Sequence, residues 1–480
     1  MWQPVLMING YLISVLGLAM LIPAAVDMSV NKTGWSLFIN SSLISIFIGV
    51  SLFLANRKTI KKITLQQGYL ITVVSWVSMT LLATMPFLFY GTVSGFTDAW
   101  FEAMSGFTTT GATIMKDVEI LPKPILLWRS MLSGLGGIGI VIFAVALLPF
   151  LGIGGMQIFQ RENSDINDKF MPKFNYIAKR ILAVYFFLAM LCAFSLHFAG
   201  MNWFDAVNHT LTTIATGGFS TKNTSIGYYH SVGIEMVIAL FMFLGALPMT
   251  FYIMVMQNKD LKSFRTEQVT FFIKVLSVYI LFMTCWLAWN GKYDFFEALR
   301  YSVFNIISVV TSTGFASTDY MKWGVWVGAF FIMFALTGGC TGSTSGSIKM
   351  FRWQVVLAYV KKTLITATDP NRVVPIKVGS LTTSESVVSS VLVFMTAYFF
   401  SVVFLTIFVS MTGLDFETAF SAVIACMTNS GPGIGPIIGP SGNYSSLSDV
   451  AKYLLSFAML LGRLELLTVL VLFTKNFWRN

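Results

Sequence analysis

Charge is scarce in this chain. Of its 480 residues only 11% are Asp, Glu, Lys or Arg, whereas 56% are hydrophobic, and the mean hydropathy is +0.75. A water-soluble protein of this length needs more charge to cover its surface, so much of that surface must face lipid. Cysteine is scarcer still. Cys192, Cys285, Cys340 and Cys426 lie in or beside apolar segments without paired spacing, which argues against a disulfide framework and a zinc site. Catalytic signatures are missing as well: no G-x-x-x-x-G-K-S/T loop, no HExxH, no CxxC, and no polar segment that could house a nucleotide domain. The chain reads as a protein that is not an enzyme and does not hydrolyse ATP by itself.

Long apolar runs are what it has in abundance. A helix crosses the hydrocarbon core with about 20 apolar residues. Candidates include Leu132–Pro149, Tyr185–Phe198, Ile234–Met256, Val325–Leu336, Val387–Val409 and Leu454–Phe473. The expected fold is an all-α polytopic membrane protein. Val5–Ile22 lacks the basic flank of a secretory signal and reads as a retained helix.

The net charge of +10 points to topology rather than to nucleic acid, because the basic residues gather in alternate loops. The clusters are Arg57 to Lys62, Arg161 to Arg180, Lys259 to Arg265 and Lys349 to Lys377, with Lys475 and Arg479 after them. The positive-inside rule puts all of these in the cytoplasm.

A degenerate repeat runs through the chain. Four moderately apolar stretches end in Ser/Thr–Gly or its near variant: Thr109-Thr110-Gly111, Ala215-Thr216-Gly217, Ser312-Thr313-Gly314 and Asn429-Ser430-Gly431. The glycines recur about every one hundred residues. Before each lies a short piece opening near an acidic residue, Asp98, Asp205, Asp294 or Asp415, which reads as the N-cap of a helix of about 10–15 residues. Such a helix is too short to span a bilayer and reads as re-entrant. Each unit is then helix, half-helix, loop, helix. The divisions are 1–62 for an N-terminal helix pair, then 63–160, 174–258, 266–362 and 384–480 for four repeats.

Non-helical backbone at membrane depth must be packed in protein or line a watery path. Four such loops converging on one axis make a central pore. A dehydrated monovalent cation needs oxygens to replace its water, and rings of backbone carbonyls supply them. Glycine lets the chain turn those carbonyls inward, and Thr and Ser hydroxyls hold the loop or coordinate from its inner end. One Thr-Gly is usually an ordinary turn; four at matched spacing, each after a half-helix, point to a cation filter. His209 within the second half-helix reads as a hydrogen-bonded structural residue, and Arg300 in the third as reaching water.

With Gly134 to Ile140, Leu148 to Gln157, Gly338 to Lys349 and Leu461 to Glu465 added to these loops, the chain resembles the Trk/Ktr/HKT potassium transporter superfamily, most of all its bacterial TrkH branch. The resemblance implies a potassium filter with one glycine per repeat, matched at Gly111, Gly217, Gly314 and Gly431. Sodium-preferring plant relatives carry Ser at the first position, so Gly111 favours K+ as the transported ion. The stretch Gly338, Gly339, Thr341, Gly342, Ser343 to Gly346 is too rich in glycine for a rigid helix, and its family counterpart is an intramembrane gate loop. Arg463, midway along an apolar segment, is costly there without a polar partner. Glu465 is poorly spaced to be that partner within one helix, and the family's matching arginine reaches the loop.

The resemblance further implies a homodimer and a cytosolic nucleotide-binding regulatory ring, docked on the basic loops Gln157–Arg180 and Lys349–Lys377, although membrane lipid explains the same charges. Two mechanisms stay open: a channel-like conduit, and a symporter coupling potassium to protons or sodium. Coupling to protons calls for an intramembrane carboxylate or histidine near the path; none is well placed, Glu235, which opens a helix, being the nearest, and this favours potassium uptake through a gated, channel-like pore, with the symporter as the alternative.

Overall fold

The computed structural model describes residues 1–29, 34–57, 63–146, 170–258, 267–324, 326–379 and 381–479. The motif Leu148–Gln157, the basic residues Lys58, Lys61, Lys62, Arg161, Lys169, Lys259, Lys262 and Arg265, and the boundary at 160 lie outside them. The described chain is helical apart from loops and one short antiparallel pairing, Lys377–Val378 with Leu381–Thr382. Among the described residues seven helices are long and apolar enough to cross a membrane, and two bent pairs pass the same test. The fold is all-α and polytopic.

Two N-terminal helices, Trp2–Ala19 running on into Leu21–Ser29, and Trp35–Ala55, pack tightly on one another. Gly10 and Gly49 permit the approach: a Cβ on Gly10 would stand 2.6 Å from the Gly49 carbonyl oxygen. Van der Waals contact between small residues is the usual means of association inside lipid, where no hydrophobic force draws helices together.

Four units follow with a common plan. Each has a long first helix (Leu65–Ala83, Phe170–Phe198, Glu267–Trp289, Glu385–Ser410) and a half-helix of 12, 12, 16 or 12 residues (Phe96–Phe107, Trp203–Ile214, Phe295–Val310, Phe416–Met427). The half-helices are largely buried towards their C-terminal ends, whereas Phe96, Trp203, Phe295, Phe296 and Phe416 at the N-terminal ends are exposed. Caps were expected at all four acidic residues, but only Asp415 accepts a cap bond, from the Thr418 N–H. Asn202 caps the second half-helix, which frees Asp205 to take a bond from Thr221; Asp98 lies in the first turn and pairs with Lys452 at 2.6 Å; Asp294 stands at the cap position without a side-chain bond. A carboxylate in the first turn still complements the half-helix dipole.

The second helices depart most from the linear reading. Only the first, Lys123–Ala146, runs unbroken. Ile234–Met256 is two helices, Val232–Gly245 and Met249–Asn258, bent by 88° at a break that contains Pro248. Leu454–Phe473 likewise breaks after Arg463, with 114° between Asp449–Arg463 and Leu466–Phe473. Here Glu465 has φ +62°, which ends the helix. The third, Val327–Thr337, stops at Gly338 (φ +75°), and the chain resumes as Met350–Thr368. The segment expected as a basic loop, Lys349–Lys377, is therefore mostly helix.

Candidate functional site

The four half-helices end at a common centre. After each, the backbone turns through a residue of positive φ, one ordinary residue, and a glycine of positive φ: Thr109 and Gly111, Thr216 and Gly218, Ser312 and Gly314, Asn429 and Gly431. Matching hydrogen bonds set the register. The N–H groups of Thr110, Gly217, Thr313 and Ser430 bond to the carbonyls of Ser105, Thr212, Ser308 and Ala425. In the second unit the glycine equivalent to Gly111, Gly314 and Gly431 is thus Gly218, and Gly217 takes the place of Thr110. This corrects the match made on Thr-Gly. The dipeptides Gly218-Phe219 and Gly314-Phe315 were the sequence signal for the right register.

The glycines close a ring. A Cβ on Gly111 would meet the Gly217 carbonyl oxygen at 2.5 Å, and one on Gly431 would meet that of Thr110 at 2.6 Å. At Gly218 and Gly314 a Cβ would overlap the carbonyl oxygens of Thr313 and Ser430 outright. Each glycine thus faces the carbonyl of the next unit, in the order one, two, three, four and back to one. Positive φ and lack of room together leave only glycine at these four points. All four line a single cavity of ≈ 130 Å³ that opens outwards past Ala112, Phe219 and Pro432.

Hydroxyls brace the loops from behind. Thr108 pairs with Thr110, Thr311 with Thr313 and Thr428 with Ser430, at 2.8, 2.8 and 2.9 Å. The second unit has Ala215 and Gly217 at those positions, so its pair is missing. Nine residues before each ring glycine stands a buried brace that the linear reading overlooked in two units: Glu102, His209 and Asn305, with Ala422 in the fourth. Glu102 accepts from Ile114 N–H (2.9 Å), Thr113 (3.0 Å) and Arg129 (2.7 Å), whose guanidinium lies 4.2 Å from the Phe219 ring. His209 joins the Asp205 carbonyl to Ser220, at 2.8 and 2.9 Å, a structural role as expected. Asn305 donates to Ser317 at 2.9 Å. In the outer loop, Asn223 donates to Asp117 at 2.7 Å, and this bond above all holds that carboxyl below its ordinary range.

Directly beneath the ring lies the segment Gly338–Lys349, buried throughout. Gly338 and Gly342 take positive φ; the Gly339 N–H bonds to Ser345 Oγ at 3.0 Å; Ser343 donates to the Cys340 carbonyl at 2.6 Å, and Thr341 is buried beside them. The segment is pinned to three of the four inner turns. Ser312 Oγ accepts from the Gly346 N–H at 2.7 Å, Thr344 Oγ1 donates to the Ile214 carbonyl at 2.9 Å, and a Cβ on Gly346 would come 2.5 Å from the Thr428 carbonyl. Arg463 Nη1 donates to the Thr344 carbonyl at 2.8 Å, while its Nε and Nη2 have no hydrogen-bond partner among the described residues. The sharp bend after Arg463 explains this reach, because it ends the helix at the level of the segment. Glu465, beyond the bend, holds Lys349 at 3.1 Å and Arg352 by a short contact, and Arg352 lies over the Phe394 ring.

Arg300 keeps 21% of its side chain exposed, as expected, and has a protein partner as well. It forms a bidentate pair with Glu235, both bonds 2.7 Å, on the outer part of the molecule. Among the described residues no cluster of His, Cys, Asp and Glu could hold a metal ion. Neutral oxygens from backbone and hydroxyl groups, not carboxylates, dominate the centre.

An all-α membrane protein in which four re-entrant loops bring carbonyls round one axis is, as a class, a polytopic ion-translocating protein. The family model described as "TrkH: Cation transport protein" matches residues 35–479. The "Trk system potassium uptake protein TrkI" of Halomonas elongata is 37% identical over 480 residues, covering 100% of this chain and 97% of that one. The Escherichia coli K12 "Trk system potassium uptake protein TrkH" is 34% identical, with 98% of each chain covered. A crystal structure of the potassium transporter TrkH from Vibrio parahaemolyticus superimposes with a TM-score of 0.93 at 32% identity, over 100% of both chains. The chain belongs to the TrkH family of cation transport proteins and is a multi-pass protein of the inner membrane.

Proposed function

We propose that this chain takes up potassium through a selective, gated, channel-like pore as the ion-translocating subunit of a Trk-type system. The observation that carries the reading is the closed ring in which each glycine abuts the carbonyl of the next unit. A cation descending from the outer cavity exchanges water for those carbonyls and, at the inner end, for the hydroxyls of Thr109, Thr216 and Ser312. The half-helices then present their partly negative C-terminal ends to it. Below, the Gly338–Gly346 loop and the cation of Arg463 bar the way, the first by bulk and the second by repulsion. Opening moves the loop off Ser312 and the Thr428 carbonyl, and glycine-rich backbone makes that motion cheap. The four repeats are proposed as 63–160, 174–258, 266–362 and 384–480, with two limits to move, since 174 falls within the helix Phe170–Phe198 and 362 within Met350–Thr368.

The state of the buried carboxylates favours a conduit over a symporter. Glu102, Glu235 and Glu465 are each tied to an arginine, and Asp205 to Thr221 and Asn202. None of these is free to carry a proton through the centre. The relatives' membership of a Trk system also makes this chain one part of an assembly. In our reading it works as a homodimer under a cytosolic nucleotide-binding ring. Lys349 and Arg352 are buried in the pair with Glu465, so such a ring has only Lys361, Lys362, Arg372 and Lys377 of that cluster to meet.

The test is cation flux into liposomes containing the purified protein, with potassium, rubidium, sodium and lithium compared. Potassium and rubidium entry that follows membrane potential and ignores proton and sodium gradients supports the conduit. Uphill potassium movement driven by either gradient overturns it.

A further inference from the structure

On the cytoplasmic side, the helices Met350–Thr368 and Glu385–Ser410 leave a groove between them with a cavity of ≈ 680 Å³. One wall is a largely apolar face of the second helix, on which Val388, Leu392, Val393, Ala397 and Phe400 flank Ser389 and Thr396. Those positions recur at helical spacing and so share one face. From Glu385 to Phe400 the face runs about 22 Å at 1.5 Å per residue. One leaflet of hydrocarbon is about 15 Å deep, so the face reaches from headgroup level to about the bilayer centre.

The other wall carries Tyr359 and Lys362 at the headgroup end. Lys361, Arg372 and Lys377 are exposed nearby on the same basic segment. Lys362 lies 3.7 Å from Glu385, whose side chain is 91% exposed, a loose contact that a phosphate can replace. A largely apolar wall one leaflet long, topped by lysines on the side where basic residues collect, matches one ligand chemistry.

We propose that this groove is a specific site for a phospholipid with an anionic headgroup, drawn from the cytoplasmic leaflet. One acyl chain lies against Val388 to Phe400, and the phosphate takes Lys362 from Glu385. Attraction of an anionic headgroup to each nearby lysine, together with the buried acyl chain, makes the site tighter for phosphatidylglycerol than for phosphatidylcholine. Bound there, the lipid joins the helix that leaves the Gly338–Lys349 segment to the first helix of the fourth repeat.

The experiment is native mass spectrometry of the full-length protein in detergent, titrated with phosphatidylglycerol or phosphatidylcholine. Wild type is expected to retain one phosphatidylglycerol per chain in preference to phosphatidylcholine. Lys362→Gln lowers that retention about fivefold and leaves phosphatidylcholine unchanged, whereas Glu385→Gln raises it. Thr396→Trp fills the exposed groove and removes retention of both lipids, with circular dichroism confirming the fold. Equal retention of the two lipids by wild type, or retention unaffected by Lys362→Gln and Thr396→Trp, overturns the proposal. So does efficient disulfide cross-linking of Thr396→Cys between two chains in a Cys285→Ser background, because the groove is then covered by a second copy.

Discussion

Substituting Gly218 and Gly217 separately tests the register of the ring. A Cβ on Gly218 falls on the Thr313 oxygen, and the residue has φ +69°. The left-handed conformation costs an ordinary residue about 1–2 kcal/mol, and relief of the overlap requires the Thr313 carbonyl to retreat by roughly 1 Å. That oxygen belongs to the third unit, so Gly218→Ala disturbs a neighbour's coordinating group as well as its own loop. Loss of one such contact, at about 1.4 kcal/mol of preference, is a tenfold fall in the potassium-to-sodium ratio. Gly217 differs. Its φ is not positive, and a Cβ there meets the Ser133 side chain, with Cβ at 2.8 Å and Oγ at 2.9 Å, on the helix behind the loop. Gly217→Ala therefore costs about 1–3 kcal/mol of packing and shows as lower thermal stability. The assay is bi-ionic reversal potential in a planar bilayer, paired with thermal unfolding in detergent. Selectivity lost in Gly217→Ala and kept in Gly218→Ala would refute the argument.

Ser312→Ala deprives the buried Gly346 N–H of its acceptor, at about 1–3 kcal/mol; basal potassium flux should rise severalfold, and unchanged flux would detach the loop from gating. Glu465→Gln leaves Lys349 and Arg352 buried without a counter-charge and should destabilise by about 3–5 kcal/mol, read as a fall in unfolding midpoint in detergent. Arg300→Met strands Glu235 in the same way, so Arg300→Met with Glu235→Met should be more stable than Arg300→Met alone. A double-mutant cycle that shows no coupling between these two positions would contradict the bidentate geometry.

The apolar spans, the four half-helices and the loops that end them were legible because each is local: hydropathy and glycine placement act within a few turns. Finer assignments failed where a second element decides. Asp98 has the chemistry of a cap, yet Lys452, 354 residues away, claims it. Arg300 reads as solvated and is partly so, but its bidentate partner Glu235, 65 residues away, was not legible. Proline and a positive-φ glutamate bend two apolar runs that composition alone renders straight. The brace Glu102–Arg129 was invisible because nothing in the spacing of the two residues pairs them.

What the sequence determined by itself is the class of molecule: a membrane-embedded chain of four repeats with oxygen-bearing loops and almost no free charge, since lipid tolerates no other composition. Only the tertiary structure decided which glycine of Gly217-Gly218 joins the ring and that Arg463 meets the expected loop at the Thr344 carbonyl. Ring closure is a relation between units about one hundred residues apart, fixed by a carbonyl pressing on a missing side chain, and contacts of that kind exist only once all four units have packed.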